Sequence, residues 1–373
     1  MPASFSLGGG LEGETQGGKW RRPRRYRTHV RESRPQPLPY MSRVVVIGGG
    51  VIGCAVAELL SRHGHELTLL ERDQLGSHAS GAAAGELSPS ARPGDHESLA
   101  MFPELVARIE QDSAMSVEYR VQQGLGPAFR EEEAKLRKTE PGRWLDAAEL
   151  RALEPSLSAE AVGAMLIEHA HLTPPRFVRA LGRAAVKHGA EICEGTPAIG
   201  FQIEHGQATA VQTTAGAIAA DWIVIAAGPW SREVGSSAHL DLDVRPQRGQ
   251  LAALDAGETI LRRSIFWSGG YLVPKGDGTI IAGGTEEDAG FDERPTVDGI
   301  STLLALAIRL VPTLNDATLL RVWAGLRPVT SSGDPIVSTT SLRNVVVATG
   351  HHRKGILLAP LAAKQVAELI TSS

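Results

Sequence analysis

Residues 44–72 read VVVIGGGVIGCAVAELLSRHGHELTLLER, and this stretch decides the fold. Arg43 to Ile47 is a short, β-branched apolar run, the pattern of a strand buried on both faces. Gly48-Gly49-Gly50 is a tight turn. Ile52 to His63 has helical spacing, and Gly64 supplies a stop. Glu66 to Leu70 is a second strand that ends at Glu71. Strand, glycine turn, helix and strand make a β-α-β unit, and Gly48-Gly49-Gly50-Val51-Ile52-Gly53 is its GxGxxG. Gly48 permits the turn, Gly50 lets backbone approach a pyrophosphate, and Gly53 lets the helix pack on the sheet. The helix N-terminus offers N–H groups and partial positive charge to phosphates. Glu71, 18 residues after Gly53, is placed to accept hydrogen bonds from an adenosine ribose. The motif does not distinguish FAD from NAD.

The 373 residues are 42% hydrophobic and 21% charged, ample for one or two domains. A net charge of −4 gives no general argument for binding nucleic acid. No apolar run approaches the ~18 residues of a membrane span. The two cysteines, Cys54 and Cys193, form no CxxC pair, which fits a reducing cytoplasm. The first forty residues carry eight basic side chains against three acidic ones, with frequent Gly and Pro. They read as a disordered basic extension, with a targeting arm as the alternative.

Residues near 95–160 read as polar and helical, punctuated by Pro103, Pro141 and Pro155. Thr173-Pro174-Pro175 reads as an N-cap followed by first-turn prolines. Residues 199–219 alternate as in a small antiparallel meander. Trp222 to Ala226 and Asn344 to Thr349 read as further buried strands, and Gly355 to Ile370 as a closing helix. Between them, 240–325 is strand-rich, with one helix from Gly299 to Val311. The expected class is α/β plus α+β: a Rossmann-type nucleotide domain and a mainly antiparallel substrate domain. The first takes 41–95, 160–235 and 325–373, and the second 96–159 and 236–324. A cofactor touched by both ends of the chain favours FAD.

Several pieces resemble a known family. Besides residues 44–72 these are SGAAAGELSP (80–89), WIVIAAGPWS (222–231), GGYLVPKGDGTIIAGGT (269–285), WAGLRPVTSSGDP (323–335) and VVVATGHHRKGILLAP (345–360). In content and order they are similar to the D-amino acid oxidase superfamily, with glycine oxidase of the thiazole branch of thiamine synthesis the nearest group. The resemblance implies that Val51 and Ile52 touch FAD phosphates and that Glu71 and Arg72 touch the adenosine. It implies flavin contacts from Ala79, Ser80, Ala84, Gly85, Glu86, Ala198 and Gly228. His351, His352, Arg353, Lys354, Gly355, Ile356 and Leu357 correspond to the loop and helix start beside the flavin ring. Tyr271, Arg327 and Arg353 correspond to the substrate site. Glu86 departs from the family's glycine oxidase, which has an apolar residue there; the carboxylate could favour a cationic group on the substrate or turn outward.

The implied chemistry is oxidation of a small amino acid or amine, glycine foremost, to its imine. Molecular oxygen is the acceptor and hydrogen peroxide the second product. The flavin carries the electrons; the protein holds the substrate in line. That requires a carboxylate clamp, and the planar guanidinium of Arg327, in a loop fixed by Gly325 and Pro328, can provide it bidentately. Tyr271 can add a hydroxyl donor. N–H groups at Gly355 can stabilise negative charge on a reduced ring. Cys54 and Cys193 lie away from these pieces, so the FAD is expected to be non-covalent. No metal is expected: His351 and His352 are adjacent, and His169 and His171 lack a third ligand. The six tryptophans read as core or domain-interface residues. Oxidation or dehydrogenation of sarcosine, proline or a D-amino acid is the same-class alternative. A non-catalytic FAD-binding assembly factor and an NAD-dependent dehydrogenase are the others. Self-association is possible by analogy with the family.

Overall fold

The computed structural model describes residues 41–90, 92–139, 142–257 and 260–372. The basic extension therefore lies outside the described residues, as does Pro141. The first strand, Arg43–Ile47, runs parallel to Glu66–Leu70 on one side and Trp222–Ile225 on the other. The sheet continues outward to Val345–Thr349 and Ile336–Thr339, and on the other flank to Glu191–Cys193. All pairs are parallel except Ile336–Thr339 with Val345–Thr349.

Alternation along these strands builds two apolar layers. Val44, Val46, Leu67, Leu69, Val224 and Val346 face a helical layer. Val45, Ile47, Leu70, Ile223, Ile225, Val345 and Val347 face the opposite side. Burying each such side chain stabilises the fold by roughly 1.5–3 kcal/mol, so continuous hydrophobicity is what a doubly covered strand requires. The helical layer consists of Val51–Arg62, Pro93–Ser113, Pro174–Lys187 and Gly355–Thr371. The opposite layer includes the antiparallel meander Ala198–Glu204, Gln207–Thr213 and Gly216–Ala219. Gly64 (φ +89°) and Gly189 (φ +93°) follow two of the helices in left-handed conformations that glycine adopts without strain.

The second sheet has nine strands. Its main path is Thr318–Val329, Arg245–Asp255, Thr279–Gly283, Gly270–Pro274, Ile265–Trp267, Arg120–Ala128, Gly163–His171 and Glu86–Leu87; Arg143–Asp146 also pairs with Gly163–His171. It is antiparallel save for one parallel contact, Ile265 with Leu125. The helix Val297–Leu310 buries Leu303, Ala307 and Leu310 in its core.

Three sequence expectations differ from the structure. The stretch 95–160 is not simply helical, because Arg120–Ala128 and Arg143–Asp146 are strands. Arg120–Ala128 lacks alternation and owes its form to nine residue pairs with Gly163–His171, a tertiary override of weak local preference. That partner was grouped with the nucleotide-binding segments, yet it belongs to the second sheet. Pro103 does not end its helix either; it lies within Pro93–Ser113.

Candidate functional site

The glycine turn sits where the first strand ends, at the C-terminal edge of the parallel sheet. Gly48 has φ +113°, and a Cβ there would stand 2.4 Å from the Ala226 carbonyl oxygen. A Cβ on Gly53 would come within 1.9 Å of the Gly48 oxygen. Both glycines are therefore fixed by close backbone approach. Gly50 is the N-cap of Val51–Arg62 and has no side chain to cap the following N–H groups. Ser80 reaches back, its Oγ accepting from the Val51 N–H at 2.9 Å. Glu71 is buried and accepts from two backbone groups, Gly49 N–H at 2.7 Å and Asp73 N–H at 2.8 Å.

From this turn a cleft of about 680 Å³ runs between the two sheets. At one end the Arg72 guanidinium lies 3.8 Å over the Trp230 ring, against which His78 packs at 4.6 Å. The loop after Val345–Thr349 lines the cleft with His351, His352, Arg353 and Lys354, and Gly355 opens the closing helix. His351 is 3% exposed, and neither ring nitrogen has a hydrogen-bond partner. Burial holds its pKa down to about 4, so the ring is neutral near pH 7. The His352 ring meets Gln247 Oε1 at 2.8 Å. Lys354 Nζ donates to Ser88 O and to the buried Asp95 carboxylate, both at 2.8 Å, pinning the loop after Glu86–Leu87.

The second sheet provides the facing wall. Tyr271 and Arg327 arrive from different strands and are held by glycines. A Cβ at Gly283 would stand 2.7 Å from the Tyr271 hydroxyl, and one at Gly249 would stand 2.4 Å from Arg327 Cζ. Arg327 Nη1 donates to Thr285 O at 2.7 Å, and no carboxylate makes a salt bridge with it among the described residues. Burial lowers the Arg327 pKa and raises that of Tyr271. An unpaired half-buried guanidinium is costly, and a bound anion would relieve that cost.

Most of the anticipated positions converge on this cleft. Gly48, Gly50, Val51, Ile52, Glu71, Arg72, Ala79, Ser80, Ala84, Gly85, Glu86, Ala198 and Gly228 line it, as do Tyr271, Arg327 and His351 through Ile356. Two do not. Gly53 packs behind the turn on Gly48, and Leu357 points into the helical core. Arg327 also differs from expectation, lying within the strand Thr318–Val329 rather than a loop. Pro328 is tolerated beside it because this is an edge strand. The sequence reading missed Gly249, Gly283 and Gly284 as the space-makers for Tyr271 and Arg327. Trp230, read with the other tryptophans as a core or domain-interface residue, lines the cleft beside the Ala227-Gly228-Pro229 turn.

The family model for FAD dependent oxidoreductases of the DAO type matches residues 43–369. The chain belongs to this DAO family. It is 36% identical over 346 residues to the bifunctional protein ThiO/ThiG of Trichormus variabilis, covering 88% of this chain and 52% of that one. The chain thus spans about half the length of such bifunctional relatives. It is 34% identical to glycine oxidase of Geobacillus kaustophilus, covering 88% of this chain and 92% of the relative. The crystal structure of glycine oxidase from Bacillus cereus superposes with a TM-score of 0.83 at 30% identity, covering 89% and 95% of the two chains.

The family is one of FAD dependent oxidoreductases, and the cleft of this chain fits that cofactor. Gly50 puts no side chain over the helix start, where only Ser80 Oγ meets the Val51 N–H. The unpartnered nitrogens of His351 provide a donor and an acceptor within the cleft. Neither cysteine lines the cleft.

Proposed function

We propose that the chain oxidises the α carbon of a small amino acid, glycine foremost, to an imine, with oxygen as final electron acceptor and hydrogen peroxide as product. On this reading it supplies the glycine-derived imine for thiazole formation in thiamine synthesis. Similarity to glycine oxidase across 92% of that relative supports it. The observation that carries it is Arg327, half-buried in the cleft beside Tyr271 and without a salt-bridge partner among the described residues.

FAD supplies the two-electron acceptor. Everything else falls to side chains. Arg327 receives the substrate carboxylate, preferably through two parallel hydrogen bonds. The Tyr271 hydroxyl, un-ionised because burial raises its pKa, donates a further hydrogen bond. Held at its carboxylate, the substrate has its α carbon fixed in position, which is the protein's main contribution to rate. Arg353 is engaged by Glu286 at 2.9 Å and acts at the mouth of the cleft.

The FAD is non-covalent. Unpaired Cys54 and Cys193 fit the cytoplasm, and no described helix is long and apolar enough to cross a membrane. Self-association would use the edge strand Thr318–Val329, which exposes Leu319, Leu320 and Val322. The decisive experiment is a visible spectrum of purified protein, followed by anaerobic addition of small amino acids. Bleaching by glycine, then peroxide on admitting air, is expected. A yellow protein bleached by no amino acid would refute the reading.

A further inference from the structure

One part of the cleft is built for something other than a carboxylate or a dinucleotide. Glu86 lies on the short strand Glu86–Leu87, paired with His171 and Ala170. Its side chain turns inward, 13% exposed, and lines the cleft that Tyr271 and Arg327 also line. Behind it sits His169, fully buried, with Nε2 2.9 Å from Glu86 Oε2 and 3.1 Å from Ser264 Oγ. Ser264 Oγ is 3.4 Å from Glu86 Oε1. The approach of His169 to Glu86 is close but not aligned as a hydrogen bond, so Oε2 remains a buried acceptor without a partner. His169 Nδ1 is likewise unpartnered, with the Phe266 ring edge-on to the imidazole at 5.2 Å.

The surrounding charges are few and can be named. Lys275 is half-buried beside the pair and donates to the Ala84 and Leu172 carbonyl oxygens. His171, on the same strand as His169, accepts at Nδ1 from the Gln122 amide N–H at 3.0 Å and is kept neutral by burial, with Lys275 adding to the effect. Glu118, Arg120 and Asp277 lie further out around His171 and Lys275. Tyr271, Arg327 and Arg353 belong to the wall that also feels the Glu86 charge. The cleft therefore presents a guanidinium and a carboxylate, each lacking a full complement of partners. A zwitterion satisfies both; a simple carboxylic or hydroxy acid satisfies only one.

We propose that Glu86, positioned by His169 and Ser264, is the subsite for the substrate's ammonium group and takes up the proton that the nitrogen must lose before its carbon is oxidised. This rests on the amino acid oxidase reading and deepens it. In the step an N–H bond breaks and an O–H bond forms on Glu86. The nitrogen keeps its electron pair, and the positive charge moves from substrate to the Glu86–His169 pair. Nothing is oxidised or reduced. The site thereby selects amino acids over hydroxy acids of equal size.

The test uses holoenzyme reduced anaerobically, so that glycine binds without reacting, and calorimetry in two buffers of different ionisation enthalpy. Wild type is expected to bind glycine more tightly than acetate and to release no net proton near neutral pH. Glu86→Gln should weaken glycine at least about tenfold while acetate changes by less than about twofold, since a buried charge has lost its partner. The glycine KM of the variant should fall about tenfold per pH unit between about pH 7 and pH 9, where the neutral amine becomes available, while that of wild type stays flat. Glu86→Asp, which keeps the charge, should recover part of the glycine affinity. Equal losses for glycine and acetate would reduce Glu86 to a packing residue and overturn the proposal. Unchanged glycine binding in Glu86→Gln would do so too. A wild type that binds acetate yet is bleached by no amino acid would instead overturn the amino acid oxidase reading itself.

Discussion

The carboxylate of Glu71 accepts the Gly49 N–H at 2.7 Å, tying the end of the second strand to the middle of the glycine turn. Its other oxygen holds the Asp73 N–H. Glu71 is thus part of the turn's own architecture as well as a residue placed for a ribose. Glu71→Ala leaves two backbone donors without their acceptor, at about 1–3 kcal/mol for each that stays dry. The expected result is a lower melting temperature of the apo-protein together with weaker FAD retention. Glu71→Gln, which keeps one acceptor, should fall between. Thermal melts and FAD titration measure both, and an apo-protein as stable as wild type would refute the structural half.

Gly249 offers a way to disturb Arg327 without touching it. A Cβ there would overlap the guanidinium, 2.2 Å from Nη2 and 2.4 Å from Cζ. Gly249→Ala must displace the end of the arginine or shift two paired strands, a cost of about 1–3 kcal/mol. FAD binding, centred on the other sheet, should persist. The expected signature is a raised substrate KM and weakened acetate binding in a protein that stays yellow. Unaltered acetate affinity would show that the guanidinium does not hold the carboxylate.

These two cases show what could be read from the chain and what could not. The Val44–Arg72 stretch was legible because every device in it is local: a doubly buried strand, a turn needing glycine, a helix start and an acidic strand end. The second sheet was not, because Arg120–Ala128 becomes a strand only by pairing with Gly163–His171, some forty residues away. Similarly, Gly249, Gly283 and Gly284 look like ordinary turn or strand glycines until Tyr271 and Arg327 are seen occupying the space they leave. Gly53 was read as a packing glycine and is one, whereas the resemblance put Leu357 among the residues beside the flavin ring. A helix turns each successive side chain by about 100°, and that rotation carries Leu357 into the core while Ile356 lines the cleft.

Arg327 itself gives the sharpest functional prediction. Arg327→Ala removes the half-buried cation that faces the substrate carboxylate, and kcat/KM should fall by a factor corresponding to about 2–5 kcal/mol. Arg327→Lys keeps the charge but not the fork, and should recover only part of the loss. The flavin spectrum should be retained in both. A change confined to FAD content, with normal turnover per bound flavin, would move Arg327 out of the substrate site.

Two buried histidines make stability depend on pH in a defined window. Burial holds His351 at a pKa of about 4, and burial followed by the Lys275 charge holds His171 at about 4. An unfolded histidine titrates near 6.5. Between these values the unfolded chain binds more protons than the folded one, so stability rises with pH across the window. The contribution is fully present above about pH 6.5 and is lost as pH falls towards about 4. Carboxylates such as Asp95, held below their ordinary range despite burial by Lys354 and Ser90, act only at lower pH. Melts of the apo-protein in buffers of equal ionic strength should therefore show a falling melting temperature from about pH 6.5 downward, with His351 and His171 together supplying about two protons of the slope. His351→Asn should remove about one proton from that slope and His171→Asn the other. If the double variant keeps the wild-type slope, the protons are going elsewhere, and the neutral, buried state assigned to these rings is wrong.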